Sequence, residues 1–72
     1  MVNTLELKEI IAHSGKSVSH LARAIGISRS ALYNKMNNDS EFLTSEVNKL
    51  CEELEITSLK VKERIFFRHF VD

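Results

Sequence analysis

Arg29, Ser30 and Asn34 of this 72-residue chain have side chains whose chemistry permits the reading of nucleic-acid base edges. They fall on one face of a predicted helix. An arginine can donate two hydrogen bonds to a guanine, and an asparagine can pair with an adenine at two points. Tyr33, on the outward side of the same helix, could contact a thymine methyl group or a phosphate. An ordinary solvent-facing surface is the alternative for Arg29 and Asn34, and a half-buried ring is the alternative for Tyr33.

Two predicted helices joined by a tight turn, residues 18–25 and 29–36, position these side chains. Ser17 and Ser28 suit their N-caps, because a serine hydroxyl can accept a hydrogen bond from an N–H of the first turn. Gly26 can adopt the left-handed backbone conformation that ends the first helix. Apolar residues at helical spacing would face inward. They are Leu21, Ala22 and Ile25 on the first helix and Ala31, Leu32 and Met36 on the second.

This pattern resembles the helix-turn-helix of phage Cro/repressor-type (Xre-like) DNA-binding proteins. The matching residues are Leu21-Ala22, Ile25-Gly26-Ile27-Ser28, Leu32 and Asn37-Asn38. The resemblance implies an all-α fold, a compact bundle of five short helices like the DNA-binding domain of lambda repressor. It also implies that the second motif helix enters the DNA major groove. Arg29, Ser30 and Asn34 stand at the positions that contact bases in the family.

A second group of residues is predicted to contact DNA phosphates, which fix the register of a protein on the duplex rather than its sequence preference. The N-terminus of the first motif helix offers free backbone N–H groups that suit a phosphate. The family often has a polar side chain where this chain has Val18, so a contact there would come from the backbone. The phosphate candidates are Lys16, Ser17, Val18, Ser19, Ser28, Lys35 and Asn37.

Charge is distributed unevenly along the chain, although the formal net charge is zero. Residues 10–38 contain four lysines and arginines and no Asp or Glu, whereas residues 39–55 contain six acidic residues and one lysine. We therefore expect a basic half that coincides with the helix-turn-helix and an acidic half behind it. Glu52, Glu53 and Glu55 are interpreted as a solvated face of a helix.

Three further helices complete the predicted bundle. The first is expected to begin near Thr4 or Leu5, where Asn3 and Glu6 resemble a capping box, and to end at Gly15. Its inward stripe contains Leu7, Ile10 and Ile11, joined by Leu5 or Ser14. The next is expected to begin at a cap formed by Thr44 or Ser45. Its apolar residues, which have the clearest helical spacing in the chain, are Val47, Leu50, Cys51 and Leu54.

The last predicted helix, residues 59 to about 67, overlaps an apolar tail at residues 64–72. Because so short a chain cannot easily bury all of this apolar surface, part of it is expected to meet a second copy of the chain in a homodimer. The predicted interface residues are Phe67, Phe70 and Val71, with Ile65 and Phe66 turned inward. The alternative is that the tail closes the core as its last wall, as a helix or as a strand.

Several classes of protein find no support in the sequence. It lacks HExxH, Gly-x-Ser-x-Gly and CxxC motifs and a Gly-rich phosphate loop, so no enzyme activity, cofactor or small-molecule ligand is expected. His13 and His69 have no metal-ligand spacing. Cys51, the single cysteine, is predicted to be a buried thiol. Without a secretory signal, or the roughly 20 apolar residues of a membrane span, a cytoplasmic chain is expected.

Two functions remain open at this point. The first is a sequence-specific transcriptional regulator, a small phage or prophage protein of the Cro or repressor type, which binds a palindromic operator as a dimer. The second is a protein-interaction module on the same fold, such as an antirepressor or a partner of a polymerase or phage component. The zero net charge and the apolar tail favour the second. In both cases we expect one domain, residues 1–72, with the helix-turn-helix at residues 17–36.

Overall fold

A computed structural model describes residues 1–67, which form five helices and no strand. The helices are α1 (Thr4–Ser14), α2 (Val18–Ile25), α3 (Arg29–Met36), α4 (Thr44–Glu53) and α5 (Leu59–Phe66). The predicted all-α helix-turn-helix bundle is therefore confirmed. Residues 68–72, which include Phe70 and Val71, lie outside the described residues.

Local capping explains most of the helix boundaries. The side chains of Asn3, Ser17, Ser28 and Ser58 each accept a hydrogen bond from the N–H three residues later, at 3.0–3.3 Å. Because these bonds satisfy donors that the first helical turn leaves without partners, they fix where a helix begins. The helices α1 and α2 end at glycines, as predicted.

The start of α4 differs from the prediction. Thr44 and Ser45, the two predicted caps, are the first two residues of the helix, and Leu43 occupies the N-cap position. Leu43 has no side-chain acceptor to offer. Instead, the Glu46 carboxylate reaches back and accepts a hydrogen bond from the Leu43 N–H at 2.9 Å. The helix therefore begins one residue earlier than a hydroxyl cap would place it.

The core lies between α2 and α4, with α1, α3 and α5 packed around them. Its fully buried large side chains are Leu7, Leu21, Leu32, Met36, Val47, Leu50 and Ile65. The predicted stripe of α4 is confirmed, because all four of its apolar residues are buried. On α1 the stripe does not extend to Leu5, which is 79% exposed, whereas Ser14 is half-buried.

Two aromatic residues join the loop before α4 to α5. The rings of Phe42 and Phe66 pack in a T-shaped contact, with 5.5 Å between ring centroids and an interplanar angle of 88°. Ile65 and Phe66 are buried as expected, while Phe67 is 40% exposed. The end of α5 therefore contributes both to the core and to the surface.

The N-terminal segment connects the ends of two helices. The Thr4 hydroxyl donates a hydrogen bond to the Met36 carbonyl at 2.6 Å, and the Asn3 N–H donates to the Ile65 carbonyl at 2.6 Å. Val2 is buried in the same region. The last turn of α3 is thus fixed by residues far away in the sequence, which limits how α3 can tilt.

Candidate nucleic-acid interface

The turn between α2 and α3 sets the direction of the proposed reading helix. Gly26 has a φ of +86°, in the left-handed region, and its neighbour Ile27 donates a hydrogen bond from its N–H to the Ala22 carbonyl at 2.9 Å. A Cβ added at Gly26 would meet nothing within 4 Å. The backbone conformation, rather than lack of space, therefore selects glycine here. Ala22 is buried, in keeping with a close crossing of the two helices.

The four predicted base-reading residues of α3 are all exposed. They are Arg29, Ser30, Tyr33 and Asn34. Tyr33 is 43% exposed, so its ring is not enclosed by the core. Within residues 1–67, no hydrogen bond or ion pair holds the Arg29 guanidinium. The face that the spacing predicted is present, and its donors are accessible.

Five of the predicted phosphate contacts lie at helix ends. Ser17, Ser28 and Asn37 are exposed, whereas Val18 and Ser19 are half-buried. The hydroxyl oxygens of Ser17 and Ser28 already accept the capping hydrogen bonds, and each hydroxyl keeps its hydrogen available as a donor. Backbone and hydroxyl donors therefore cluster where α2 and α3 begin.

Lys16, another phosphate candidate, is bound by the end of α4. Its ammonium donates to the Glu53 main-chain carbonyl at 2.5 Å and lies 3.4 Å from the Glu53 carboxylate. His20 Nε2 lies 3.3 Å from the same carboxylate oxygen. The hydrogen bonds from Lys16 and then His20, with the positive charge of Lys16, hold the pKa of Glu53 below its ordinary value. Glu53 therefore lies at the partly exposed edge of α4, as the interpretation of a solvated face allows, but it is paired with two residues near the start of α2.

Lys35, the last phosphate candidate, is bound by the start of α4. Its ammonium lies 2.6 Å from the Glu46 carboxylate, and the two side chains are only 14% and 10% exposed. Burial by itself raises the pKa of Glu46. The hydrogen bonds from Lys35 and from the Leu43 N–H, together with the charges of Lys35 and Lys49, outweigh that effect and leave this pKa below its ordinary value. Glu46 is thus ionised and paired.

These two pairs change the expected electrostatics of the helix-turn-helix. The basic and acidic halves are not separate surfaces, because two of the four cations in residues 10–38 are paired with glutamates of α4. Arg23 and Arg29 are exposed and have no such partner among the described residues. Neither Arg23 nor Glu46 stands out in the sequence, and Glu53 is interpreted there only as part of a solvated face. Only the three-dimensional arrangement distinguishes paired cations from available ones.

Residues 1–67 also bear on metal binding, membrane insertion and thiol chemistry. In the part of the chain that the structure describes, no three His, Cys, Asp or Glu side chains are grouped so that they could hold a metal ion. None of the helices among residues 1–67 has the length and apolar character needed to cross a bilayer. Cys51 is buried as predicted, and this burial raises the pKa of its thiol despite the nearby charge of Lys62.

Comparison with known families agrees with this geometry. The family model of the Cro/C1-type HTH DNA-binding domain matches residues 6–58, which cover most of α1, all of α2 to α4 and the connection to α5. Neither the curated proteins nor the solved structures gave a match. The exposed face of α3 thus belongs to a segment that carries the family's DNA-binding motif.

Proposed function

Because the chain belongs to the Cro/C1-type helix-turn-helix DNA-binding family, we propose that it is a sequence-specific transcriptional regulator. In this proposal it is a small cytoplasmic phage or prophage protein of the Cro or repressor type. It binds a palindromic operator as a homodimer, with α3 in the major groove. The observation that carries the proposal is the exposed face of α3, where Arg29 has no competing partner among residues 1–67 and Asn34 is equally accessible.

The proposed base contacts follow from side-chain chemistry. The fork of Arg29 donates two hydrogen bonds to O6 and N7 of a guanine, and the amide of Asn34 pairs with N6 and N7 of an adenine. Ser30 can donate to or accept from either kind of base. Tyr33 supplies a ring edge for a thymine methyl group or a hydroxyl for a phosphate.

The proposed phosphate contacts come mainly from the starts of α2 and α3. Backbone N–H groups at residues 17–19 bind one phosphate, with Val18 contributing its main chain and Ser19 its hydroxyl. Ser28 and Asn37 flank α3. Lys16 and Lys35 would have to leave Glu53 and Glu46 before they could bind a phosphate. We therefore assign these two lysines a smaller share of the contacts than their charge alone implies.

The proposed dimer interface begins at the end of α5. Phe67 and Met1 are both exposed, and both line a small cavity whose other walls include Phe42 and Phe66. Phe70 and Val71, the remaining predicted interface residues, lie outside the described part of the chain. In a twofold dimer the two α3 helices would reach half-sites roughly 34 Å apart, one turn of DNA.

Selection of bound sites from random duplex DNA, with the full chain, tests this function. A palindromic consensus with half-sites about 10 base pairs apart would support both sequence-specific binding and dimerisation. A non-palindromic consensus would support sequence-specific binding and contradict the proposed homodimer. If no DNA sequence is enriched even at low salt, where phosphate contacts are strongest, the proposal that the protein is a transcriptional regulator is wrong.

The second candidate is the protein-interaction module. Zero net charge and the pairing of Lys16 and Lys35 with acidic residues both weaken the attraction to DNA, and these observations favour it. It predicts no DNA binding even at high protein concentration and low salt. The same selection experiment therefore distinguishes the two candidate functions, because only the regulator should enrich a DNA sequence.

A further inference from the structure

We infer that Glu46 is a positioning residue for the base-reading face of α3, and that it acts through Lys35 to set discrimination between DNA sequences. This inference rests on the proposed function, since it concerns the same face of α3. It also gives Lys35 a role different from that of a phosphate ligand.

The geometry around Glu46 joins three parts of the chain. One carboxylate oxygen, Oε1, accepts hydrogen bonds from the Lys35 ammonium at 2.6 Å and from the Leu43 N–H at 2.9 Å. Lys35 lies in the last turn of α3, and Leu43 precedes α4. A largely buried charge-assisted hydrogen bond is short and directional. The end of α3 is thus attached to the start of α4 by a single acceptor.

This attachment lies directly beside a proposed base contact. Asn34 precedes Lys35, and its carbonyl accepts the Asp39 N–H at 2.8 Å. The backbone at Asn34 is therefore held by the loop, while the next side chain is held by Glu46. Two-point pairing of an amide with adenine tolerates only small errors in position and angle. A small rotation of α3 would therefore break the pairing of Asn34 with adenine, although a contact with a phosphate would tolerate the same rotation.

Replacement of Glu46 by glutamine separates the two roles of Lys35. Glu46→Gln removes the carboxylate charge that pairs with Lys35 and raises the net charge, although the amide oxygen can still accept a weaker hydrogen bond. If Lys35 is a phosphate ligand, its ammonium then becomes more available, so all DNA should be bound more tightly with a steeper salt dependence. If Glu46 positions α3, operator binding should weaken while binding to random DNA does not. The two readings predict opposite signs for operator affinity.

Glu53→Gln is the matched control. It removes one acidic charge from the same helix and weakens the hold on Lys16, which keeps its hydrogen bond to the main-chain carbonyl at position 53. Lys16 lies before α2 rather than beside Asn34. Lys35→Met keeps the apolar stem of the side chain and removes its donor. Far-UV circular dichroism and urea unfolding, recorded for each variant, define conditions under which all of them are folded.

The experiment measures affinity for the selected operator and for random duplex DNA across a range of salt concentrations. We expect Glu46→Gln and Lys35→Met each to lower the operator-to-random ratio about tenfold, the order expected from partial loss of one base contact. The double variant should lose no more than Lys35→Met alone, because both changes act on the same contact. Glu53→Gln should leave the ratio unchanged. Tighter operator binding by Glu46→Gln, or a ratio equal to that of Glu53→Gln, would overturn the inference.

A readout without DNA keeps this test separate from the proposed function. Tyr33 is the only tyrosine of the chain, which has no tryptophan, so the tyrosine signal in near-UV circular dichroism reports the surroundings of α3. We expect Glu46→Gln to change that signal and Glu53→Gln to preserve it. If the wild-type chain shows no preference among DNA sequences, the proposed regulator function is wrong. A changed Tyr33 signal in Glu46→Gln would still support the positioning of α3 by Glu46. An unchanged signal would contradict it.

Discussion

Asn38 and Val2 exchange two hydrogen bonds across 36 residues of sequence. The Val2 N–H donates to Oδ1 of Asn38 at 2.8 Å, and Nδ2 of Asn38 donates to the Val2 carbonyl at 3.0 Å. Asn38 also has a φ of +65°, which asparagine tolerates better than most residues. The backbone conformation of Asn38 therefore contributes to the turn after α3, and its side chain attaches the N-terminal segment to that turn.

Two substitutions at Asn38 separate its backbone conformation from its hydrogen bonds. Asn38→Gly keeps easy access to a positive φ and loses the side chain, so we expect the free energy of unfolding to fall by about 1–2 kcal/mol. Asn38→Ala loses both, and we expect a fall of about 2–3 kcal/mol. Urea unfolding measures the difference. Equal losses for the two variants would show that the left-handed conformation adds nothing.

Substitutions on the reading face should affect specific binding most. We expect Arg29→Ala and Asn34→Ala each to weaken operator binding by about 1–3 kcal/mol, because each removes a two-point contact with one base. Their effect on random DNA should be small. Lys60→Ala, which removes one exposed charge from α5, is the control for net charge. An Arg29→Ala variant that loses affinity equally on both kinds of DNA would contradict base reading by Arg29.

Gly26 and Gly15 provide a matched pair for backbone strain. Both have a positive φ, and a Cβ at either position would meet nothing within 4 Å. We therefore expect Gly26→Ala and Gly15→Ala to destabilise the fold by similar amounts, about 1–2 kcal/mol each. Thermal unfolding should show this as a loss of roughly 4–16 °C in Tm for a chain of this size. A neutral Gly26→Ala would mean that the turn can adopt another conformation.

The Lys35–Glu46 pair should make stability depend on acid pH. Because the pKa of Glu46 is lower in the folded state, its contribution is complete above the unfolded-state pKa, about 4.3 for a glutamate. It is lost as the pH falls through the lower folded-state value. The free energy of unfolding, measured from neutral to acid pH, should fall less steeply in Glu46→Gln than in wild type. Identical pH profiles would argue against the pair.

Cys51 should report unfolding through its reactivity. Burial both hides the thiol and raises its pKa, so little reactive thiolate is present in the folded chain. We expect a thiol-specific reagent to modify Cys51 slowly in native conditions and rapidly in urea. Modification at the rate of a free cysteine under native conditions would show that α4 and α5 separate readily.

The sequence is sufficient to predict the helices because their boundaries depend on local signals. Ser17, Ser28 and Gly26 act within three or four residues of themselves, so spacing alone places α2 and α3 correctly. The start of α4 is different, because Glu46 caps it from inside the helix while Thr44 and Ser45 offer more familiar caps. The error there arises from two signals that compete within one turn.

The charge pairing cannot be predicted in the same way. Lys35 and Glu46 are 11 residues apart, and Lys16 and Glu53 are 37 apart, with loops and helices between them. No helical or strand periodicity relates such positions, so their contact depends on how α4 packs against the helix-turn-helix. The exposed face of α3 was predictable because it is the complement of a local apolar stripe.

Glu46 and Glu53 are seven residues apart on α4, which places them on one side of the helix and about 10 Å from each other along its axis. Glu46 pairs with Lys35 at the end of α3, and Glu53 pairs with Lys16 just before α2. Engineering this domain to recognise a new operator therefore involves more than exchanging the exposed residues of α3. If Glu46 positions α3 as we infer, a reading helix grafted onto a foreign scaffold should keep its orientation better when the acidic partner at position 46 is grafted as well.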